Sequence, residues 1–129
     1  EMYIINRKIK ERRNKMKEQP TRFYSSLQEI TVANYLDGNL TPNSGAKHKK
    51  GDILLDDTII ECKTKTKGSM THTIKKDWIK TLLKECIAMG KNHWAIVFDF
   101  GCQKLNEQYV IISIDDYKEY LELKEDKDV

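Results

Sequence analysis

Residues 51–63 read Gly-Asp-Ile-Leu-Leu-Asp-Asp-Thr-Ile-Ile-Glu-Cys-Lys, and this stretch decides the fold. Its two short apolar runs suit β-strands, and Asp56-Asp57 between them is typical of a turn. The pattern therefore predicts a β-hairpin, with one strand over residues 52–55 and a returning strand over residues 58–63.

The returning strand ends in a charged pair. Side chains alternate between the two faces of a strand, so Glu61 and Lys63 point to one side and Cys62 to the other. Asp52, on the partner strand, can approach Glu61, and two carboxylates suit Mg²⁺. Bound Mg²⁺ can polarise a phosphodiester and lower the pKa of a water, while Lys63 orients that water or stabilises the transition state. An ordinary ion pair on a solvated face is the alternative interpretation.

Helical patterns flank this hairpin. Upstream, Ser25 is a plausible N-cap, and Asp37-Gly38-Asn39 ends the helix with a glycine suited to a left-handed cap. Its predicted core stripe consists of Leu27, Ile30, Ala33 and Leu36, with Val32 and Tyr35 beside it.

Downstream, a helix is predicted over residues 74–89, ended by Gly90, with Trp78, Leu82, Ile87 and Cys86 among its core residues. Two paired strands follow, over residues 93–100 and 108–114, and a final short helix is capped by Asp115-Asp116-Tyr117. The predicted class is α/β, a sheet flanked by helices.

The 129 residues predict one domain, with 39% apolar and 33% charged residues. No apolar run approaches the roughly 20 residues that a spanning helix needs, and the basic N-terminus lacks a signal-peptide core. Cys62, Cys86 and Cys102 form no disulfide or zinc pattern, which indicates a reducing, cytoplasmic environment.

The net charge of +3 is unevenly distributed. Residues 1–24 carry eight basic and three acidic groups, residues 41–80 carry nine and five, and residues 115–129 carry three and seven. Two basic regions and an acidic tail result, and a segregated basic surface attracts a polyanion because binding releases counterions. We divide the chain into a basic arm or helix, residues 1–24, and a single domain with an acidic tail, residues 25–129.

The chain resembles the PD-(D/E)xK nucleases, and within them the archaeal-type Holliday junction resolvases and their phage-encoded relatives. The resemblance covers roughly residues 25–114. It is carried by Glu29-Ile30-Thr31-Val32-Ala33-Asn34-Tyr35-Leu36, Asn43-Ser44-Gly45-Ala46, Gly51-Asp52-Ile53, Ile60-Glu61-Cys62-Lys63 and the strand Trp94-Ala95-Ile96-Val97-Phe98. It implies a restriction-endonuclease-like core with a central mixed β-sheet between helices.

The resemblance also implies roles for single residues. Asp52 and Glu61 become metal ligands, with the backbone carbonyl of Cys62 as a further ligand and Glu29 reaching the metal directly or through water. Lys63 becomes the catalytic lysine, and Ser44 touches the scissile strand. Gly51 departs from the proline usual before the first aspartate, a change expected to be harmless, and Lys75-Lys76 stand where many relatives have a glutamine.

These features predict an Mg²⁺-dependent DNA endonuclease, with Mn²⁺ as a possible substitute, that resolves Holliday junctions in recombination and repair. It would act as a homodimer in the cytoplasm of a bacterium or a phage-infected cell, with no cofactor besides the metal. The alternatives are a nicking or restriction-type nuclease and a non-catalytic nucleic-acid-binding module. The predicted DNA contacts are Ser44, Lys47, Lys49, Lys50, Lys65, Lys75, Lys76, Arg12 and Arg13. His72 is expected in a solvated loop, and His93 is expected to pack at a strand start.

Overall fold

The structure, a computed structural model, describes residues 19–42 and 51–127. The predicted contacts Arg12, Arg13, Ser44, Lys47, Lys49 and Lys50 lie outside the described residues. Within them the elements are α1 (Thr21–Leu36), β1 (Asn39–Leu40), β2 (Ile53–Leu54), β3 (Thr58–Lys63), α2 (Lys76–Met89), β4 (His93–Phe98), a 3₁₀ turn (Leu105–Glu107), β5 (Tyr109–Ile111) and α3 (Ile114–Lys127). None of these helices combines the length and apolarity needed to cross a membrane.

The five strands form one mixed sheet in the order β1-β2-β3-β4-β5. The predicted hairpin is confirmed, because Ile53 pairs with Ile60 in the antiparallel β2–β3 register. β3 and β4 are parallel, with Thr58 opposite His93 and Lys63 opposite Phe98, and α2 provides the crossover between them. β5 returns antiparallel to β4, as predicted. The α/β class, with a mixed sheet flanked by helices, is therefore confirmed for the described residues.

The core consists of two apolar layers, one on each face of the sheet. Val32 and Ala33 of α1 pack on one face against Ile53, Ile60, Cys62, Ala95 and Val97. Leu82 and Cys86 of α2 pack on the other face, against Ile59 and Ile96. The alternation of β3 thus sends Ile60 and Cys62 toward α1 and Ile59 toward α2. Glu61 and Lys63, which share the phase of Ile59, lie on the α2 face.

The predicted start of α1 is wrong, and its predicted buried face is correct only for Val32 and Ala33. The helix begins at Thr21 after Pro20, so residues 21–24 belong to it and not to the arm, and Ser25 lies in its first turns. Its buried residues are Gln28, Glu29, Val32 and Ala33, whereas Leu27 is 43% exposed and Ile30 47% exposed. Leu36 and Tyr35 are exposed as well. The helix is rotated because two polar side chains, Gln28 and Glu29, turn inward.

The end of α1 also differs from the prediction. Asp37, with φ 54°, takes the left-handed conformation, and the Gly38 N–H donates to the Ala33 carbonyl at 2.9 Å. Gly38 is needed for a different reason, since a Cβ there would lie 2.5 Å from Cγ2 of Ile53. The glycine lets the chain pass close to β2 and enter β1, a strand that the sequence did not predict.

The second half of the chain follows the predicted order with shifted boundaries. α2 begins at Lys76 instead of residue 74, and Gly90 ends it with φ 67° as predicted. Ile87, a predicted core residue, is 84% exposed and points away from the sheet. β4 ends at residue 98, not 100, and β5 covers residues 109–111, not 108–114. α3 is longer than predicted and takes in the acidic tail through Lys127, and Ser113 caps it by accepting the Asp116 N–H at 3.1 Å.

The hairpin turn between β2 and β3 is fastened to the loop after α2. Lys91 Nζ donates to the carbonyls of Leu55 (2.9 Å) and Asp56 (2.7 Å). The side chain and backbone N–H of Asn92 both donate to Asp57, and these hydrogen bonds hold the pKa of that carboxyl below its usual value. The start of β3 is thereby fixed next to the start of β4.

Candidate functional site

Gly51 brings the chain into the candidate site with a backbone that only glycine adopts readily. Its φ is +70°, and a Cβ there would collide with Cγ2 of Ile59 and approach the Ile60 carbonyl at 3.2 Å. Thr41 Oγ1 donates to the Gly51 carbonyl at 2.7 Å and holds this conformation in place. Proline fixes φ near −65°. A proline therefore does not fit this backbone, and residue 51 requires glycine.

Asp52 is buried, with 5% exposure, directly beside β3. Its N–H donates to the Ile60 carbonyl at 2.9 Å, and its Oδ2 accepts the Cys62 N–H at 2.8 Å. That N–H belongs to the residue between Glu61 and Lys63, so the Asp52 carboxylate lies against the backbone at the end of β3. The hairpin therefore brings the two predicted carboxylates to one place on the sheet.

Glu61 and Lys63 lie side by side at the end of β3, as the strand alternation predicted. Lys63 Nζ is 3.3 Å from Glu61 Oε1, and the Glu61 side chain is largely buried whereas that of Lys63 is half-buried. The same ammonium lies 4.5 Å from the centre of the Trp78 ring of α2, within range of a cation–π interaction. The aromatic ring and the carboxylate fix the position of the lysine from two sides.

Glu29 approaches from the opposite side of the sheet. It lies on α1, which covers the Cys62 face, and Arg22 Nη2 is 3.9 Å from its Oε2. The structure therefore places Glu61 and Lys63 on the α2 face and Asp52 against the backbone between them. Glu29 comes from α1, close enough for its charge to act on Cys62 together with those of Asp52 and Glu61.

The charges of these acids act on the buried thiol of Cys62. Burial raises the pKa of Cys62, and the negative charges of Asp52, Glu29, Glu61 and Asp99 raise it further. Both effects favour the neutral thiol over the thiolate. A position within reach of several carboxylates favours a cation electrostatically.

The donor set fits a hard divalent cation. Asp52, Glu61 and Glu29 offer carboxylate oxygens, which Mg²⁺ prefers. Asp52 already accepts a backbone hydrogen bond on Oδ2. Over residues 19–42 and 51–127, the three-residue group whose ligand atoms lie within 4.8 Å of one another is His93, Asp116 and Glu119, and not these acids.

A buried polar network beside this site was missed from the sequence. Asp99 is fully buried after β4, and its carboxylate accepts hydrogen bonds from Thr64 Oγ1 (2.6 Å), the Gly101 N–H (2.9 Å) and Gln108 Nε2 (2.9 Å). Gln28 of α1 donates to the Lys63 carbonyl at 2.9 Å and to Gln108 Oε1 at 2.9 Å. The network thus holds the backbone of Lys63. An aspartate directly after an apolar strand was the one signal for it.

His72 is docked and not solvated, contrary to the prediction. Its Nδ1 lies 2.6 Å from the Asp99 carbonyl, and its ring packs edge-on against Phe98 and Trp78. Lys65 is half-buried, 3.4 Å from Ser69 Oγ, and Lys75 and Lys76 are exposed at the start of α2. These three lysines are the predicted DNA contacts that the structure describes, and they come after the candidate site in the sequence.

Comparison with protein-family models, curated proteins and solved structures returned no match to this chain. The carboxylates and the lysine at the end of β3 are therefore the basis for a function.

Proposed function

We propose that the protein is a metal-dependent DNA endonuclease with a restriction-endonuclease-like core, and that its substrate is a four-way DNA junction. The observation that carries the proposal is the grouping of Asp52, Glu61 and Lys63. Asp52 Oδ2 accepts the Cys62 N–H at 2.8 Å, and Lys63 Nζ lies 3.3 Å from Glu61 Oε1, so these side chains share one end of a core strand. Asp52 is buried and Glu61 nearly so, which an ordinary surface ion pair does not require.

The metal would be held by Asp52 and Glu61, with the Cys62 carbonyl and Glu29 as further ligands. Bound Mg²⁺ supplies charge to polarise the phosphodiester and to lower the pKa of a water. Lys63 orients that water or stabilises the charge that develops on the phosphate. Trp78 and Glu61 position Lys63 for this role, because they hold its ammonium at 4.5 Å and 3.3 Å.

A second copy of the chain would complete the assembly. A four-way junction presents two symmetric strands, and a two-fold dimer presents two equivalent sites. The lysines at the start of α2 would contact phosphates on the flanking arms.

The proposal is tested by incubating the purified protein with a labelled four-way junction and Mg²⁺ or Mn²⁺. We expect paired, symmetric nicks. Asp52→Asn should reduce cutting at least about 100-fold. Asparagine is chosen because its side-chain oxygen can still accept the Cys62 N–H, which preserves the fold. Lys63→Met, which keeps an apolar stem beside Trp78, should lose activity to a similar degree.

Asp56→Asn is the matched control, since it neutralises an exposed aspartate in the turn of the same hairpin. It should cut like the wild type. Unchanged cutting by Asp52→Asn would overturn the assignment of the site. A wild-type chain that binds the junction and cuts nothing with either metal would instead be a non-catalytic binding module, and equal cutting of linear duplex would indicate a nicking or restriction-type nuclease.

A further inference from the structure

A second group of ligand-type side chains lies at the opposite end of the β3–β4 pair. His93 begins β4, and Asp116 and Glu119 are in the first turns of α3. Each of the three residues offers one ligand atom, and these three atoms all lie within 4.8 Å of one another. Because β3 and β4 are parallel and His93 pairs with Thr58, this group is roughly 16 Å along the strand from Lys63.

The three side chains come from two elements, β4 and α3. Asp116 and Glu119 are three residues apart in α3 and so lie on one face of the helix. That face meets the start of β4, where His93 Nδ1 is 2.9 Å from Asp116 Oδ1. A cleft of about 240 Å³ opens at this point, lined by Thr58, His93, Asp116, Glu119 and Tyr120 among others. The donors thus face a space that solvent and ions can enter.

The second nitrogen of His93 faces a carboxylate at ion-pair distance. Nε2 lies 3.6 Å from Asp57 Oδ2, and Asp57 is itself held by Asn92. Histidines that bind a metal through one nitrogen typically direct the other toward a carboxylate or a carbonyl, which fixes the ring and its tautomer. With Nε2 directed to Asp57, Nδ1 is the nitrogen left to face Asp116.

We propose that His93, Asp116 and Glu119 bind Zn²⁺, with Asp57 orienting the histidine. One imidazole and two carboxylates are a ligand set that zinc accepts, and the open cleft leaves a fourth position for water. Ligand atoms around tetrahedral zinc are roughly 3.4 Å apart, so the Nδ1–Oδ1 pair has to separate by about 0.5 Å. The imidazole nitrogen selects against Mg²⁺, which the carboxylates at the other end of β3 suit.

The site would fasten α3 to the sheet. No side chain of α3 is buried, so apolar packing holds this helix weakly. In place of the His93–Asp116 hydrogen bond, a bound metal would join β4 to α3 through three side chains, one from the strand and two from the helix. The ion therefore serves the fold at this end of the molecule, separately from any chemistry at Lys63.

The test is zinc binding by the untagged chain, measured by calorimetry and by competition with a chromogenic chelator. We expect one zinc per chain. Glu119→Gln, at an exposed position that leaves the fold intact, should weaken binding at least roughly tenfold, and Asp57→Asn should weaken it by a similar factor. Glu122→Gln is the matched control, since it removes a charge one turn further along α3, outside the group. It should bind zinc like the wild type.

Two further measurements separate this site from its rivals. The double variant Asp52→Asn/Glu61→Gln should keep its zinc, and X-ray absorption at the zinc edge should show nitrogen and oxygen ligands without sulfur. Equal affinity in Glu119→Gln and Glu122→Gln would overturn the proposal. So would loss of zinc in the double variant, sulfur ligation by a cysteine, or the absence of stoichiometric binding.

Discussion

At the candidate site, the backbone conformation of Gly51 positions the side chain of the next residue, Asp52. Gly51 has φ +70° and lies against Ile59, and Asp52, the next residue, accepts the Cys62 N–H at 2.8 Å. The glycine therefore sets the direction in which the aspartate leaves the backbone. A change at residue 51 acts on the site even though glycine has no functional group of its own.

We expect Gly51→Ala to lower the free energy of unfolding by about 2–5 kcal/mol, because a left-handed alanine is strained and its Cβ overlaps Ile59. Urea denaturation followed by circular dichroism measures the loss. Gly68→Ala is the control, since a Cβ there meets nothing within 4 Å. It should change stability by less than about 0.5 kcal/mol. Equal midpoints for the two variants would contradict the strained backbone at Gly51.

The three helices differ in the contacts that hold them to the sheet. α1 and α2 bury apolar side chains against opposite faces of the sheet. α3 buries none, and its start depends on polar contacts: the Ser113 cap and the His93–Asp116 hydrogen bond. This helix is therefore the element whose stability responds most to changes at its first turn.

Ser113→Ala should destabilise α3 by about 0.5–2 kcal/mol, because the Asp116 N–H loses its acceptor. Hydrogen exchange of the α3 amides measures this directly, and they should exchange faster while those of β3 and β4 keep their protection. Ser25→Ala is the comparison. Ser25 lies inside α1 and donates to the Thr21 carbonyl at 3.3 Å, so its loss removes no cap. Unchanged exchange in α3 would show that Ser113 does not support the helix.

At the scale of the molecule, basic and acidic side chains of the described residues are separated along the sheet. Lys65, Lys75 and Lys76 follow the end of β3 where Lys63 lies, whereas the acidic α3 begins beside the start of β4. The net charge of +3 conceals this division. A polyanion approaching the molecule is attracted to the lysine end and repelled by the acidic helix.

Binding of an uncleaved junction by Asp52→Asn should weaken steeply as salt is raised. Adding Lys75→Ala and Lys76→Ala should reduce the slope of log K against log salt by about 2, since each lost phosphate contact removes about 0.9. Fluorescence anisotropy over a salt series gives the slope. Adding Lys118→Ala and Lys124→Ala on α3 should leave it unchanged. Equal slopes for the two charge-matched pairs would show that α2 does not face the DNA.

The sequence by itself determined most of the elements and one face of the candidate site. Period-two alternation and turn residues are local signals, and they predicted the hairpin, the crossover helix, the β4–β5 pair and the shared side of Glu61 and Lys63. Only the tertiary structure decided which polar groups are buried. Gln28 turns inward because it donates hydrogen bonds to Lys63 and Gln108. These partners lie 35 and 80 residues further along the chain, beyond the reach of any local sequence pattern. The same holds for the Asp99 network and for the contact of His93 with Asp116. Both depend on residues that are distant in the sequence and meet only in the folded chain, so no local pattern encodes them.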